Sequence, residues 1–214
     1  MPKKMLQPTD ELMFRVGRAF LDFGYGELSM TGLARACGFT QRALYYYFSN
    51  KEEAFRASIE HRNRQAVNVA FAAAAGVREK GGSVLDIVST IMDVRYGETR
   101  RALNVSPHTV ELNAEAFRRC RDIMIESALA FQADLEEMIV GFCDAGLLRM
   151  RDDISTKDLA QALADGARGV NQALPTIPSE GLTQRYRGMC QLVLYGAATP
   201  PGEKPARKSR KDPA

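Results

Sequence analysis

A chain of 214 residues, 45% apolar and 26% charged, has room for one large domain or two small ones with a full core. The four cysteines (Cys37, Cys120, Cys143, Cys190) lie far apart without paired spacing, which excludes a disulfide scaffold and a zinc site; the longest apolar run, Val69 to Val77, falls well short of the roughly 20 residues that cross a bilayer. The net charge of +3 is unevenly spread: residues 1–64 hold ten basic against seven acidic side chains, residues 65–202 hold 14 against 17, and residues 203–214 hold five against two, so a polyanion would be met at the N-terminal end.

Lys3 and Lys4 are followed by Gln7, Pro8, Thr9, Asp10 and Glu11 rather than an apolar stretch, so no secretory signal is read. A cytoplasmic, reducing location is expected, with the thiols acting as small buried apolar groups. A first helix is predicted from Thr9 to Phe23, with Thr9 as cap, Asp10 and Glu11 at its positive end and Gly24 as its stop. Leu12, Val16, Ala19, Phe20 and Phe23 form a single stripe along it. A second helix opens near Ser29 or Thr31 and closes at Cys37, with Gly38 in the left-handed turn. A third covers Gln41 to Phe48 behind Thr40. A fourth, capped by Asn50 with Glu53 three residues on, continues through Phe55, Ile59, Ala66 and Ala70 to about Ala75.

Gly76, Gly81 and Gly82 then break the chain, and Ser83 starts a fifth helix carrying Val84, Val88, Ile91 and Met92. Helical segments follow from about His108 through Gly146, with a break expected near Glu115. Ser155 and Asp158 make a capping pair, flanked by Ile154 and Leu159 at staple positions, for a helix running to about Leu174 before Pro175 and Pro178. A last helix spans Leu182 to Tyr195. No repeat and no strand is read, and after Ala198 the Pro, Gly, Lys and Arg content predicts a disordered tail.

Residues Ser29 to Glu52 carry the clearest chemistry. Leu33, Ala34, Cys37, Leu44 and Phe48 fit the inside of a three-helix core, which leaves Gln41, Arg42, Ala43 and Tyr46 outside, flanked by Tyr45 and Tyr47. Arginine can donate a bidentate pair to guanine and glutamine can do the same with adenine, while tyrosine hydroxyls and helix N-terminal N–H groups suit phosphate oxygens. Packing is an even alternative for Tyr45. Three adjacent tyrosines cannot all be packed, because successive helical side chains diverge by about 100°. Lys51 adds a further expected phosphate contact.

Ala19-Phe20, Gly24-Tyr25, Ser29-Met30, Leu33-Ala34, Ala36-Cys37-Gly38, Thr40, Leu44-Tyr45, Tyr47-Phe48 and Lys51-Glu52 together resemble the tetracycline-repressor (TetR) family over about residues 9–57. That resemblance implies an all-α protein of about nine helices, a homodimeric repressor with a three-helix helix-turn-helix head and a larger helical ligand-binding and dimerisation body. Carried over, Thr31, Thr40, Gln41, Arg42 and Tyr45 fall on base- or phosphate-contacting positions, and Tyr46, Tyr47 and Lys51 on phosphate-contacting ones. Arg42 stands where the family often has glycine, Gly32 where it has an acidic residue, Leu28 where it has threonine and Asn50 where it has serine. Arg42 then alters the preferred base pairs, and Gly32 removes a capping partner of Ser29. The implied division is an arm over 1–8, a head over 9–57 with the fourth helix continuing to about 75 as connector, a body over 58–198 and a basic tail over 199–214.

In the body, Leu159, Leu163, Ala167, Val170 and Leu174, with small neighbours Ala160, Ala164 and Gly166, form one expected dimer stripe. Tyr186, Met189, Cys190, Val193 and Leu194 form another; burial of both stripes within one subunit is the alternative. The expected effector pocket has Phe71, Met92, Tyr96, Phe117, Met124, Phe131 and Met138 as its apolar wall and Arg95, His108 and Asn171 as its polar groups. For each of these, ordinary core packing is the stronger alternative. Arg118, Arg119 and Arg121 read as a solvated face, and His108, Glu111 and Glu115 make only a weak metal spacing, so no metal or cofactor is expected beyond a small-molecule effector. The partners expected are a palindromic DNA duplex, a second copy of the chain and that effector, with no membrane. An enzyme would need a nucleophile, base or metal, and His61 and His108 stand in no catalytic spacing. An architectural DNA-binding protein without effector response is the other alternative, opposed by the base-reading pair Gln41–Arg42. The tail residues Lys204, Arg207, Lys208, Arg210 and Lys211 are read as an aid to solubility.

Overall fold

The computed structural model describes residues 6–175 and 177–199. The basic tail therefore lies outside the described residues. Six of the helices begin at a side-chain cap. Thr9 accepts from Leu12 N to open α1 (Asp10–Phe23), and Ser29 accepts from Gly32 N to open α2 (Met30–Ala36), so the cap survives the glycine. Thr40 accepts from Ala43 N to open α3 (Gln41–Leu44), and Asn50 accepts from Glu53 N to open α4 (Lys51–Glu79). Full capping boxes, Ser83 with Asp86 and Ser155 with Asp158, start α5 (Val84–Met92) and α9 (Thr156–Asn171). Between them lie α6 (Glu98–Asn104), α7 (Thr109–Arg119) and α8 (Arg121–Asp144), and the described chain closes with α10 (Leu182–Ala197). A π-helical turn over Asp93–Gly97 joins α5 to α6 without a gap, so the ten helices form nine continuous rods.

Several boundaries differ from the sequence expectation. α3 is one turn long and continues as the non-helical turn Tyr45–Tyr47. Gly76 sits inside α4, and the chain turns instead at Gly81, whose φ of 76° suits only glycine. The break expected near Glu115 falls at Cys120 (φ −126°, ψ 20°): Glu115 holds its own helix together through Arg118 and Arg119, whereas Cys120 drops its thiol into a core. A strand pair, absent from the sequence reading, joins β1 (Arg149–Met150) to β2 (Ala198–Thr199), with Arg149 opposite Thr199 and Met150 opposite Ala198. Two residues are too few to leave a periodic signal.

Two cores result. The head core holds Leu12, Val16, Phe20, Leu33, Leu44, Phe48 and Phe55, and it reaches beyond the head to Leu112, Ala116 and Cys120 of α7 and its end. The body core holds Ile91, Met92, Phe131, Leu135, Leu163 and Tyr186. Each fully buried Leu or Phe contributes about 1.5–3 kcal/mol, so these clusters dominate the stability of both units. α4 belongs to both, through Phe55 and Ile59 at one end and Ala70 and Ala74 at the other. Phe23, expected inside, is 51% exposed, because α1 meets its neighbours only along the Leu12–Phe20 part of the stripe.

Candidate nucleic-acid interface

The reading edge is assembled by the turn between α2 and α3. Gly38 takes φ 75°, Phe39 N donates to Ala34 O, and Arg15 of α1 donates to Cys37 O at 3.2 Å, which fixes the crossing of the two helices. Leu33, Ala34, Cys37, Leu44 and Phe48 are all at most 1% exposed, as their spacing predicts. With those faces buried, Gln41 and Arg42 point outward at the start of α3. The Thr31 hydroxyl donates to Gln41 Oε1 at 3.1 Å, and Gln41 Nε2 lies 3.5 Å from the Tyr45 hydroxyl, so α2 and α3 share one polar row. Arg42 makes no ion pair or hydrogen bond among the described residues. Thr40 is exposed but already spends its hydroxyl as the cap of α3.

The tyrosines divide. Tyr47 packs edge-on against Phe39, with ring centroids 5.8 Å apart, while Tyr45 and Tyr46 are half-exposed. The Tyr46 carbonyl accepts from Leu6 N, so Leu6 lies beside the turn that follows α3. Lys51 is drawn inward: its ammonium donates to the carbonyls of Tyr25 (2.6 Å) and Gly26 (3.3 Å) and stands 4.5 Å over the Tyr25 ring. Its geometry is that of a clasp on the α1–α2 loop rather than a free cation. A further signal went unread in the sequence: residues 28–51 contain no acidic side chain, and Arg35 is exposed on the same two-helix unit. Nothing on this edge repels a phosphate backbone.

The side chains expected to line an effector pocket do not gather in one place. Phe71, Tyr96 and Phe131 meet edge to face in the body core, Met92 is fully buried beside them, and Arg95 lies 4.2 Å over the Phe131 ring and 5.0 Å over Tyr96. Two buried polar atoms here, Arg95 Nε and the Tyr96 hydroxyl, lack a hydrogen-bond partner. Met138 packs at the edge of the same core, and Asn171 accepts from the Tyr186 hydroxyl at the far side. His108, Phe117 and Met124 are elsewhere. Met124 packs on the head core, Phe117 is 56% exposed, and His108 faces Glu111 beside Gly24, because the buried stripe of α7 turns toward the head.

The dimer stripes also need correction. Leu159, Leu163, Ala167, Val170, Tyr186, Cys190 and Leu194 are at most 9% exposed within a single chain, where α9 and α10 face the body core. Leu174 lies past the end of α9 and is 91% exposed. Met189 and Val193 sit instead in an outward groove with Gly166, Gly169, Gly188 and the exposed Leu192. Among the described residues no group of three or more His, Cys, Asp or Glu is placed to hold a metal, and no helix is long and apolar enough to cross a membrane. Arg119, read as solvated, instead pairs with Glu52 and Glu115 and covers Tyr25 at 4.5 Å. Burial pushes the Cys37 and Cys120 thiols up to about 11 and that of Cys190 to about 12, as suits inert core groups.

A trihelical head with a solvent-facing third helix, joined through one long helix to a larger helical body, is the architecture of helix-turn-helix regulators. Residues 18–57 match the family of bacterial regulatory proteins described as the tetR family. No curated protein matches the chain significantly. Its fold is similar to that of a putative TetR-family regulator from Rhodococcus sp. (TM-score 0.64, 19% identity, covering 86% of this chain and 97% of that one). It is similar also to a TetR regulator from Haloarcula marismortui ATCC 43049 (TM-score 0.68, 16% identity, 88% and 97%) and to a putative one from Mesorhizobium loti MAFF303099 (TM-score 0.64, 17% identity, 87% and 94%). The head thus carries a tetR-family match over residues 18–57, and along most of its length the chain has the same fold as these TetR-family regulators.

Proposed function

We propose that the protein is a dimeric repressor that reads a palindromic operator and leaves it when a small molecule binds the body. The observation that carries this reading is the outward, acid-free edge on which Gln41 and Arg42 stand aligned with Thr31 and Tyr45. Gln41 and Arg42 read base edges, Thr31, Tyr45 and Tyr46 set the register on phosphates and Thr40 presents the N-terminus of α3, while Tyr47 and Lys51 hold the frame. One head buries too little DNA for selective binding, so two are needed. The outward groove of α9 and α10, with its glycines and Leu192, supplies a surface on which a second copy can approach closely.

Release follows from α4, which packs on both cores. A ligand that favours a different seating of α4 changes the separation of the two α3 helices from the roughly 34 Å that successive major grooves demand. It does so only to the extent that it binds that state better. The test is selection of duplexes from a random pool, followed by anisotropy titrations over a range of salt. Enrichment of a two-fold symmetric sequence, with affinity falling steeply as salt rises, is expected. Equal retention of all sequences would replace this reading with an architectural one.

A further inference from the structure

An apolar cavity at the head–body junction lies away from the body residues expected to hold an effector. A cavity of about 370 Å³ opens between α1, α4, α6 and α7. Its walls include Met13 and Leu21 of α1, Ile59 of α4, Leu103 of α6 and Leu112 of α7. Phe14, 68% exposed, stands on its rim. A volume of this size is within the range of small-molecule sites.

Two features set it apart from a packing defect. First, Arg62 and His61 line it, and both Arg62 Nε and His61 Nδ1 are buried without a hydrogen-bond partner. Second, no carboxylate lines it. Arg62 makes no ion pair among the described residues, whereas Arg18, the other cation of the wall, is already paired with Asp22 at 3.0 Å, and His61 lies 3.6 Å from Asp10. A half-buried arginine whose Nε is buried without a partner and which has no counter-ion is costly, and burial pulls the basicity of Arg62 below its ordinary value. Such a site is completed by an anion, and the rest of the wall calls for an apolar tail.

We infer that this cavity binds a small organic monocarboxylate, its carboxylate on Arg62 and its hydrocarbon part against Met13, Leu21, Ile59, Leu103 and Leu112. Because α1 comes from the head and α6 and α7 from the body segment, the bound acid wedges one against the other. That consequence rests on the repressor reading; the binding itself does not.

The probe is octanoate, titrated calorimetrically into the full-length protein without DNA, with 1-octanol as its uncharged counterpart. Failure of the DNA reading therefore cannot be mistaken for failure of the site. Saturable octanoate binding is expected, with octanol weaker by about tenfold or more, the share of a charge-assisted hydrogen bond. Arg62→Met keeps the length and apolar stem, and should weaken octanoate by the same factor while leaving octanol unchanged. Gly17→Leu fills the cavity from α1, where an added Cβ meets nothing within 4 Å, and should abolish both. A leucine also suits the helix interior better than glycine, so this variant stays folded. No saturable octanoate binding, equal affinity for octanol, or undiminished octanoate binding in Arg62→Met or Gly17→Leu would each overturn the proposal.

Discussion

At the scale of single residues, the head separates side chains that hold the frame from those left for a partner. Lys51 and Arg119 each stand 4.5 Å from the centre of the Tyr25 ring, and Arg15 grips the turn carbonyl of Cys37, so three cations are spent inside the protein. Arg42 is not. Replacing Arg42 or Gln41 with alanine should cost about 1–3 kcal/mol of operator binding and relax the preference at one base pair of each half-site, as read by anisotropy against a panel of single-base variants. Tyr46→Phe should instead weaken all duplexes alike and leave the salt dependence unchanged, because a neutral hydroxyl displaces no counterion. A uniform loss for Arg42→Ala, with base preference intact, would demote that arginine to a phosphate contact. The outward placement of Gln41 and Arg42 was legible from the sequence because only residue type and helical phase are needed to know which way they face. The inward pull on Lys51 was not, since its partners lie 25 and 26 residues earlier in a loop without a periodic pattern.

At the scale of helices, caps are local and were read correctly: Thr9, Ser29, Thr40, Asn50, Ser83 and Ser155 each accept from a backbone N–H of the first turn. Ser155→Ala should therefore destabilise the protein by about 1 kcal/mol, seen as a lower urea midpoint with unchanged slope. What an apolar stripe packs against is not local. The period of α9 marks Leu159, Leu163 and Ala167 as inward, but the same pattern serves a neighbour in the same chain or in another copy. Here α8 and α10 supply the neighbour, and the outer face is left to glycines and Leu192. Leu192→Arg should accordingly yield monomers by sedimentation while sparing the fold, whereas Leu163→Arg should unfold the chain. A Leu192→Arg protein that sediments as the unmodified one would move the two-fold axis elsewhere.

At the scale of the whole molecule, α7 changes the division drawn from the sequence. It was assigned to the body by position, yet Leu112 and Ala116 complete the head core, and polar bonds reinforce the join: Gly26 N donates to Glu111 at 2.5 Å and the Ser106 hydroxyl to Leu21 O at 2.6 Å. No spacing within α7 could announce partners some 85 residues earlier. The latch closes where α8 begins, with Arg56 of α4 forked onto Asp122 at 3.0 and 2.5 Å. That hydrogen bond holds the Asp122 carboxyl at about 2, below its ordinary 3.8. A depressed carboxyl contributes its full stabilisation above the ordinary value and loses it as pH falls through the folded one. The latch is thus intact at neutral pH and fails between about pH 4 and pH 2. Asp86, held at about 2 by Ser83 and Arg187, titrates in the same window at the start of α5 and adds to the acid slope. Asp122→Asn removes only the latch contribution, so its stability in urea should fall less steeply than that of the unmodified protein from pH 4 to pH 2. Identical slopes in the two proteins would mean that the Arg56–Asp122 pair does not couple head to body.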